Sequence, residues 1–157
     1  MTPEQRELRD ALAAVPDRAA SAALARAASR PGSPARVAPD DATASGEWSA
    51  REVALHLAAV EGEVWHTRLA ALATETFPHW AWVEPDLWSG LGDGTFEGAL
   101  AAFAAARALT IARLDLLDPA GWTRQGRHDT YGILDVAALL RVALDHDENH
   151  IAQIAAA

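Results

Sequence analysis

Two histidines lie four residues apart near the C-terminus, in the stretch LDHDENHIAQI (144–154). Positions four apart on an α-helix are about 6 Å apart along its axis and lie nearly on one line. The imidazoles of His146 and His150 can therefore point at one atom. A metal ion is the simplest partner for converging neutral imidazoles. The alternative is a pair of surface histidines, solvated by the acidic residues around them.

Both histidines continue an apolar repeat. Helices of a bundle present to their partners a stripe whose residues are spaced alternately three and four apart. Three predicted helices carry such stripes, and each stripe includes polar residues. The stripes are Val53, His56, Val60, Glu63 and Thr67; Phe96, Leu100, Phe103, Arg107, Thr110, Leu114 and Leu117; and Val136, Leu139, Ala143, His146 and His150. A parallel stripe on the second helix, Leu57, Val60 and Val64, supplies more apolar contacts.

The polar residues of these stripes need partners, because an unpaired buried polar group costs several kcal/mol. Either the stripes are partly exposed, or the groups satisfy one another and a ligand. Arg107 forms a salt bridge with Glu63 or an aspartate in one interpretation, and binds an anionic ligand in the other. His56 alone is more typical of a hydrogen-bonded core residue.

Four helices must position these side chains. They are predicted from about Pro3 to Ala28, Ser49 to Thr74, Thr95 to Leu117, and Asp135 to the chain end. Thr2 is the predicted N-cap of the first helix, and Pro16 is expected to break or kink it. SARE (49–52) predicts a capping box at the start of the second. The connection 30–46 is expected to be a long crossover within one domain spanning 1–157.

Composition narrows the class of protein. Half of the 157 residues are hydrophobic and β-branched residues form no alternating run, which predicts an all-α fold. The net charge is −9, lysine is absent and the arginines are scattered, which argues against a nucleic-acid surface or a polybasic membrane patch. Cysteine is absent, which excludes thiolate ligands. Without a signal pattern or a long apolar stretch, a cytoplasmic protein is expected.

Three segments resemble the DinB-like (YfiT-type) four-helix-bundle superfamily. WSAREVALHLAAVEGEVWHTRL (48–69) is similar to its second helix, and FAAARALTIARL (103–114) to its third. The segment 126–154, with HDTYG (128–132) and HDENH (146–150), is similar to its last loop and helix. Asp129 departs from the proline of many relatives. The likeness covers about residues 46 to 157, whereas the first helix matches only as a generic amphipathic helix.

This resemblance implies an up-down-down-up bundle and a divalent metal held by His56, His146 and His150. Zinc or nickel is expected first, and iron or manganese are alternatives. Relatives with known activity include mycothiol-dependent maleylpyruvate isomerase and low-molecular-weight thiol S-transferases. The leading hypothesis is therefore a metal-dependent enzyme that activates a small thiol for transfer to an electrophile. Relatives often pair, so a homodimer is also expected.

Other residues have expected roles around this site. Arg107 is expected to bind an anionic group of a small-molecule substrate, in a pocket with Glu63 and Thr110. Glu63 or Glu52 is expected to orient a ligand imidazole, and Asp147 is a further candidate for supporting one. The alternatives are a metal-dependent hydrolase, a non-catalytic bundle that binds a metal or small ligand, and a purely structural bundle.

Overall fold

The chain is mostly helical. The computed structural model describes residues 1–29, 48–85, 91–92 and 94–157. The described elements are α1 (Pro3–Ala13), α2 (Val15–Ala28), α3 (Ala50–Val60), the π-helix π1 (Glu61–His66), α4 (Thr67–Thr74), β1 (His79–Trp80), α5 (Phe96–Asp115), α6 (Pro119–Trp122), β2 (Gln125–His128), β3 (Gly132–Asp135) and α7 (Val136–Ala156). None of the described helices has the length and apolar character that a membrane crossing needs.

Four rods make up the bundle. The first is α1 with α2, the second is α3, π1 and α4 in one continuous run, the third is α5 and the fourth is α7. The first rod breaks at Ala14, and Pro16 lies in the first turn of α2, where a missing N–H costs no helical hydrogen bond. The predicted break in the first helix is therefore confirmed.

The starts of the rods follow from their capping residues. The Thr2 and Ser49 side chains each form a capping box, with Gln5 and Glu52 respectively. Thr95 begins the third rod, and Asp135 begins the fourth by accepting the Ala138 N–H at 2.8 Å. Each cap satisfies a backbone N–H that has no partner inside the helix.

Contacts between the rods give their directions. The first and fourth rods run in the same direction, because their starts contact each other and so do their ends. Arg141 pairs with Glu4, and Arg26 donates to the Ala157 carbonyl. The first and third rods run in opposite directions, because Arg9 pairs with Asp115 and the Leu12 carbonyl accepts from Arg107. The ring of His56 lies 4.7 Å from that of His150, whereas the ring of Trp65 lies 6.2 Å from that of His146, so the second rod opposes the fourth. The order is up, down, down, up.

The rods form a four-helix bundle, as predicted. The second rod packs on the third and fourth, and the first rod also packs on the third and fourth. The first and second rods therefore stand at opposite corners. The predicted crossover at 30–46 lies outside the described residues.

A polar layer divides the core into two apolar clusters. One cluster includes Leu12, Val60, Leu114 and Ala143, and the other includes Val15, Leu57, Phe103 and Ile154. On the third and fourth rods, the change from one cluster to the other brackets the polar residues that interrupt the apolar stripe, and on the second rod Glu61 comes just after the change, next to Val60. The interrupting residues are Glu61, Arg107, Thr110, His146, Asp147 and His150.

The second rod contains a π-helical turn that the sequence pattern did not predict. A π-helix places more residues in each turn than an α-helix, so the inward face advances beyond Val60. Val64 and Arg68 are consequently buried, whereas the expected stripe positions Glu63 and Thr67 are half-buried and exposed; Glu61, the first residue of π1, is buried as well. The α-helical spacing used for the prediction fails at this turn.

A three-stranded sheet lies beside the bundle, in the segments between the second, third and fourth predicted helices. β1 pairs in parallel with β2, and β2 pairs antiparallel with β3. The strands are only two to four residues long, too short for an alternating pattern to be recognised. They position the loop that carries His128 and Tyr131 next to the second rod.

Candidate metal centre

Three imidazoles meet at the polar layer, two from α7 and one from α3. The Nε2 atom of His146 lies 3.3 Å from that of His56 and 3.1 Å from that of His150. His56 is buried, while His146 and His150 are half-buried. The structure thus brings together the three histidines that were expected to form one site.

Neighbouring side chains direct the Nε2 atoms inward. His146 Nδ1 donates to Asp147 Oδ1 at 3.3 Å, and His150 Nδ1 donates to Gln153 Oε1 at 2.7 Å. A neutral imidazole carries one proton, so a proton on Nδ1 leaves the Nε2 lone pair available to a ligand. Asp147 therefore has the supporting position expected of it, since a carboxylate on the second ring nitrogen fixes the ring and raises its basicity.

The surroundings keep the ring of His56 neutral. Burial, followed by the neighbouring His150 and His146, lowers the pKa of His56 to about 3. Burial, followed by His146, also lowers the pKa of His150. Trp48 contributes to this desolvation, because its ring lies 4.8 Å from that of His56 and stacks 6.2 Å from that of His150.

The donor set fits a divalent metal ion. Tetrahedral zinc with Zn–N bonds of about 2.0–2.1 Å holds its nitrogens about 3.3 Å apart, close to the separations at His146. Neutral rings with free Nε2 lone pairs are the form that coordinates a metal. Among the described residues, this is the group of side chains whose ligand atoms converge closely enough to hold an ion.

The triad forms part of the wall of a cavity of about 580 Å³. The other walls are mostly apolar and aromatic. The described lining residues are Trp48, His56, Val60, Val64, Trp65, Arg68, Trp82, Val83, Glu84, Pro85, Tyr131, Val142, His146, His150, Gln153, Ala156 and Ala157. A site with three protein ligands beside such a cavity keeps coordination positions open, as catalytic zinc sites do.

Arg107 does not lie where it was expected, in a pocket that binds a substrate. Its guanidinium is 2% exposed and donates to Glu61 Oε1 at 2.8 Å, Asp147 Oδ2 at 2.7 Å and the Leu12 carbonyl at 3.0 Å. Thr110, also buried, donates to Glu61. Neither side chain lines the cavity, so the predicted pocket of Arg107, Glu63 and Thr110 is corrected. The salt-bridge interpretation of Arg107 was the better one, with Glu61 in place of Glu63.

The two glutamates expected to orient an imidazole are placed elsewhere. Glu52 closes the α3 capping box, where its carboxylate accepts the Ser49 N–H at 2.8 Å and hydroxyl at 2.9 Å. These hydrogen bonds lower the pKa of Glu52. Glu63 follows Glu61 on π1 and does not line the cavity. The orienting groups in the structure are Asp147 and Gln153.

Two buried charged residues near the site, Glu61 and Arg68, were not predicted from the sequence. Glu61 is fully buried, and this burial raises its pKa although Arg107 opposes the shift. Arg68 is 5% exposed and lines the cavity. The signal for Glu61 was its place four residues after Leu57 of the predicted apolar stripe, and the signal for Arg68 was Gly62, a poor helix former inside the predicted second helix.

Comparison with known families agrees with this arrangement. The family model of the DinB superfamily matches residues 3–154. The chain belongs to the DinB superfamily. No curated protein matches the sequence.

A solved structure of the same kind is similar to this DinB-superfamily chain over almost its full length. It is described as "YfiT from Bacillus subtilis is a probable metal-dependent hydrolase with an unusual four-helix bundle topology". The TM-score is 0.70 at 25% identity, and the match covers 98% of this chain and 86% of YfiT. This confirms the predicted fold and the resemblance from which the metal site was inferred.

Proposed function

We propose that this DinB-superfamily chain is a metal-dependent hydrolase of a small, largely apolar molecule, with zinc held by His56, His146 and His150. One observation supports the proposal above all: three Nε2 atoms converge on one point in the wall of an apolar cavity. The similarity to YfiT, described as a probable metal-dependent hydrolase, points to the same class of reaction.

In the proposed reaction, the ion and the side chains of the protein would have different roles. A divalent ion bound by three neutral imidazoles would supply a full positive charge, able to polarise a carbonyl and to lower the pKa of water to about 7. The three histidines would hold the ion, and Asp147 keeps the proton of His146 on Nδ1. The aromatic wall of Trp48, Trp65 and Trp82 excludes bulk water, which strengthens electrostatic interactions in the cavity.

The experiment is a hydrolysis assay on the full-length protein after removal of metal and reloading with zinc. We expect hydrolysis of aryl esters or anilides that requires zinc and no added thiol. His150→Ala should lose this activity. His79→Ala, a matched change at an exposed histidine paired with Asp129, should keep it. No zinc-dependent hydrolysis by the parent protein would contradict the proposal.

Thiol transfer is the second candidate. The absence of cysteine means that any thiolate at the ion comes from outside the chain, and a metal-bound thiol is readily deprotonated. A zinc-loaded protein that conjugates an electrophile only with an added low-molecular-weight thiol would favour transfer over hydrolysis. The homodimer and the cytoplasmic location stay predictions from the sequence.

A further inference from the structure

Arg68 is a buried cation whose described contacts include no carboxylate. It lies at the second position of α4, directly after π1, and is 5% exposed. Its described neighbours are His128, whose Nε2 lies 2.9 Å from Nη2, and the rings of Trp65 and Trp80, 5.4 and 6.0 Å from Cζ. Burial lowers the pKa of Arg68. Buried charges are normally paired, so this environment calls for an anion.

His128 does not neutralise Arg68. Its Nδ1 faces the backbone N–H of Thr130 at 3.0 Å, whereas its Nε2 faces Arg68. A neutral imidazole has one acceptor nitrogen, so the ring accepts from Thr130 or from Arg68, and not from both. Burial, followed by the charge of Arg68, lowers the pKa of His128, which keeps the ring neutral. In either tautomer, His128 contributes no negative charge.

Arg68 has hydrogen-bonding capacity left for a ligand in the cavity. The side chain lines the cavity, and within the described part of the chain Nη2 is its only nitrogen with a hydrogen-bond partner. Glu84 also lines the cavity but is exposed and forms no ion pair with Arg68. The guanidinium thus brings further N–H donors to a wall that is mostly apolar and aromatic.

Arg68 also lies near the histidine triad. The ring of Trp65 lies 5.4 Å from Cζ of Arg68 and 6.2 Å from the ring of His146, so a single indole separates the guanidinium from the triad. All of these groups border the same cavity. A small molecule can therefore contact Arg68 at one end and present its other end to the three imidazoles.

We propose that Arg68 binds the carboxylate of the substrate, so that the cavity selects small molecules with an apolar body and one carboxylate. The identification of this ligand as the substrate rests on the proposed hydrolase function. A guanidinium matches a carboxylate through two parallel N–H···O bonds. One guanidinium carries one charge, which a carboxylate balances and a phosphate dianion exceeds.

The test compares binding of phenylacetate and phenylacetamide, which share a shape and differ in charge. Trp65 and Trp80 contact Arg68, so tryptophan fluorescence of the full-length protein reports occupancy. A chelator is present, because a carboxylate can also bind a metal. We expect phenylacetate to bind at least about ten-fold more tightly than the amide, the effect of one charge-assisted hydrogen-bond pair.

Variants assign this preference to Arg68. Arg68→Met should lose it, Arg68→Lys should keep only part of it, and Arg113→Met, a matched change at an exposed arginine of α5, should retain it fully. Arg68→Met should also be at least as stable to urea as the parent, because it removes a buried cation that has no carboxylate partner among the described residues. A purely structural arginine would instead lose stability on this change.

Several results would overturn the proposal. They are equal binding of the acid and the amide by the parent, no binding of either, and a carboxylate preference that survives in Arg68→Met. Tighter, Arg68-dependent binding of phenyl phosphate would replace the carboxylate with a phosphate. These binding measurements involve no turnover and no metal, so their outcome is independent of the hydrolysis assay. If that assay failed, the proposed hydrolase function would be contradicted. Arg68 would then still bind a carboxylate ligand, but this ligand would not be a substrate of hydrolysis.

Discussion

At the scale of single residues, the main structural finding is that Asp147 serves two partners. Its Oδ1 accepts from His146 and its Oδ2 from Arg107, and the side chain is fully buried. Through Asp147, the histidine triad is joined to the ion-pair network of Arg107 and Glu61. The polar layer therefore combines a candidate metal site with the groups that hold one of its rings in place.

Replacing Asp147 should weaken the metal site without removing a ligand. We expect Asp147→Asn to lower zinc affinity about 10- to 100-fold, because the amide supports the imidazole less well than a carboxylate. A competition titration with a chelating dye measures the affinity, and circular dichroism checks folding. Asp145→Asn, an exposed neighbour on α7, is the control. Unchanged zinc affinity in a folded Asp147→Asn protein would rule out the supporting role.

Arg107 should matter for stability rather than for substrate binding. Arg107→Met leaves Glu61 and Asp147 buried without their cation, so we expect a loss of about 3–5 kcal/mol in unfolding free energy. Urea denaturation followed by circular dichroism measures this loss. Under conditions where the variant is still folded, its KM should match that of the parent. A large rise in KM with unchanged stability would restore the substrate-binding role predicted from the sequence.

The lowered pKa of His56 makes metal-free stability depend on pH. The folded pKa is about 3, whereas an unfolded histidine titrates near 6.5. Below pH 6.5 the unfolded chain takes up a proton that folded His56 does not, so stability is full above 6.5 and falls with pH toward 3. At pH 5 this one group should cost about 2 kcal/mol.

Urea denaturation at pH 7 and pH 5, with a chelator present, tests this loss. His56→Gln should reduce the difference between the two pH values by about that amount, whereas His79→Ala should leave it unchanged. An identical difference in His56→Gln and the parent would show that His56 does not titrate as described.

At the scale of elements, most of the rods could be predicted and one turn could not. Capping residues and the three-and-four spacing are local signals, so the rod starts at Thr2, Ser49, Thr95 and Asp135 agree with the sequence analysis. The π-helical turn is a departure from regular spacing, and it moved the inward face forward by one residue, from Glu63 and Thr67 to Val64 and Arg68. The same shift explains why Arg68 was not recognised.

Two glycines should respond in opposite ways to alanine. Gly62, on π1, has nothing within 4 Å of an added Cβ, so Gly62→Ala should stabilise by about 0.5–1 kcal/mol through helix propensity. Gly126, on β2, would place a Cβ 2.4 Å from the Trp80 ring, so Gly126→Ala should destabilise. Thermal or urea unfolding measures both. A destabilised Gly62→Ala variant would indicate that the π-helical turn requires glycine.

At the scale of the whole molecule, the rods' directions bring distant parts of the chain to one layer. His56 and His146 are 90 positions apart yet meet because the second and fourth rods run oppositely. Family resemblance predicted this meeting, whereas spacing alone joined only His146 with His150. The cavity could not be predicted, because its wall combines residues of the second and fourth rods with the segment after β1 and the loop of Tyr131.

The most direct test of the metal centre is equilibrium zinc binding by the untagged, full-length protein. We expect one ion per chain, with affinity falling by at least about 100-fold in each of His56→Ala, His146→Ala and His150→Ala, since each variant lacks one of three ligands. His79→Ala should bind as the parent does. Absence of stoichiometric zinc, or parental affinity in a folded His56→Ala protein, would contradict a metal centre shared between α3 and α7.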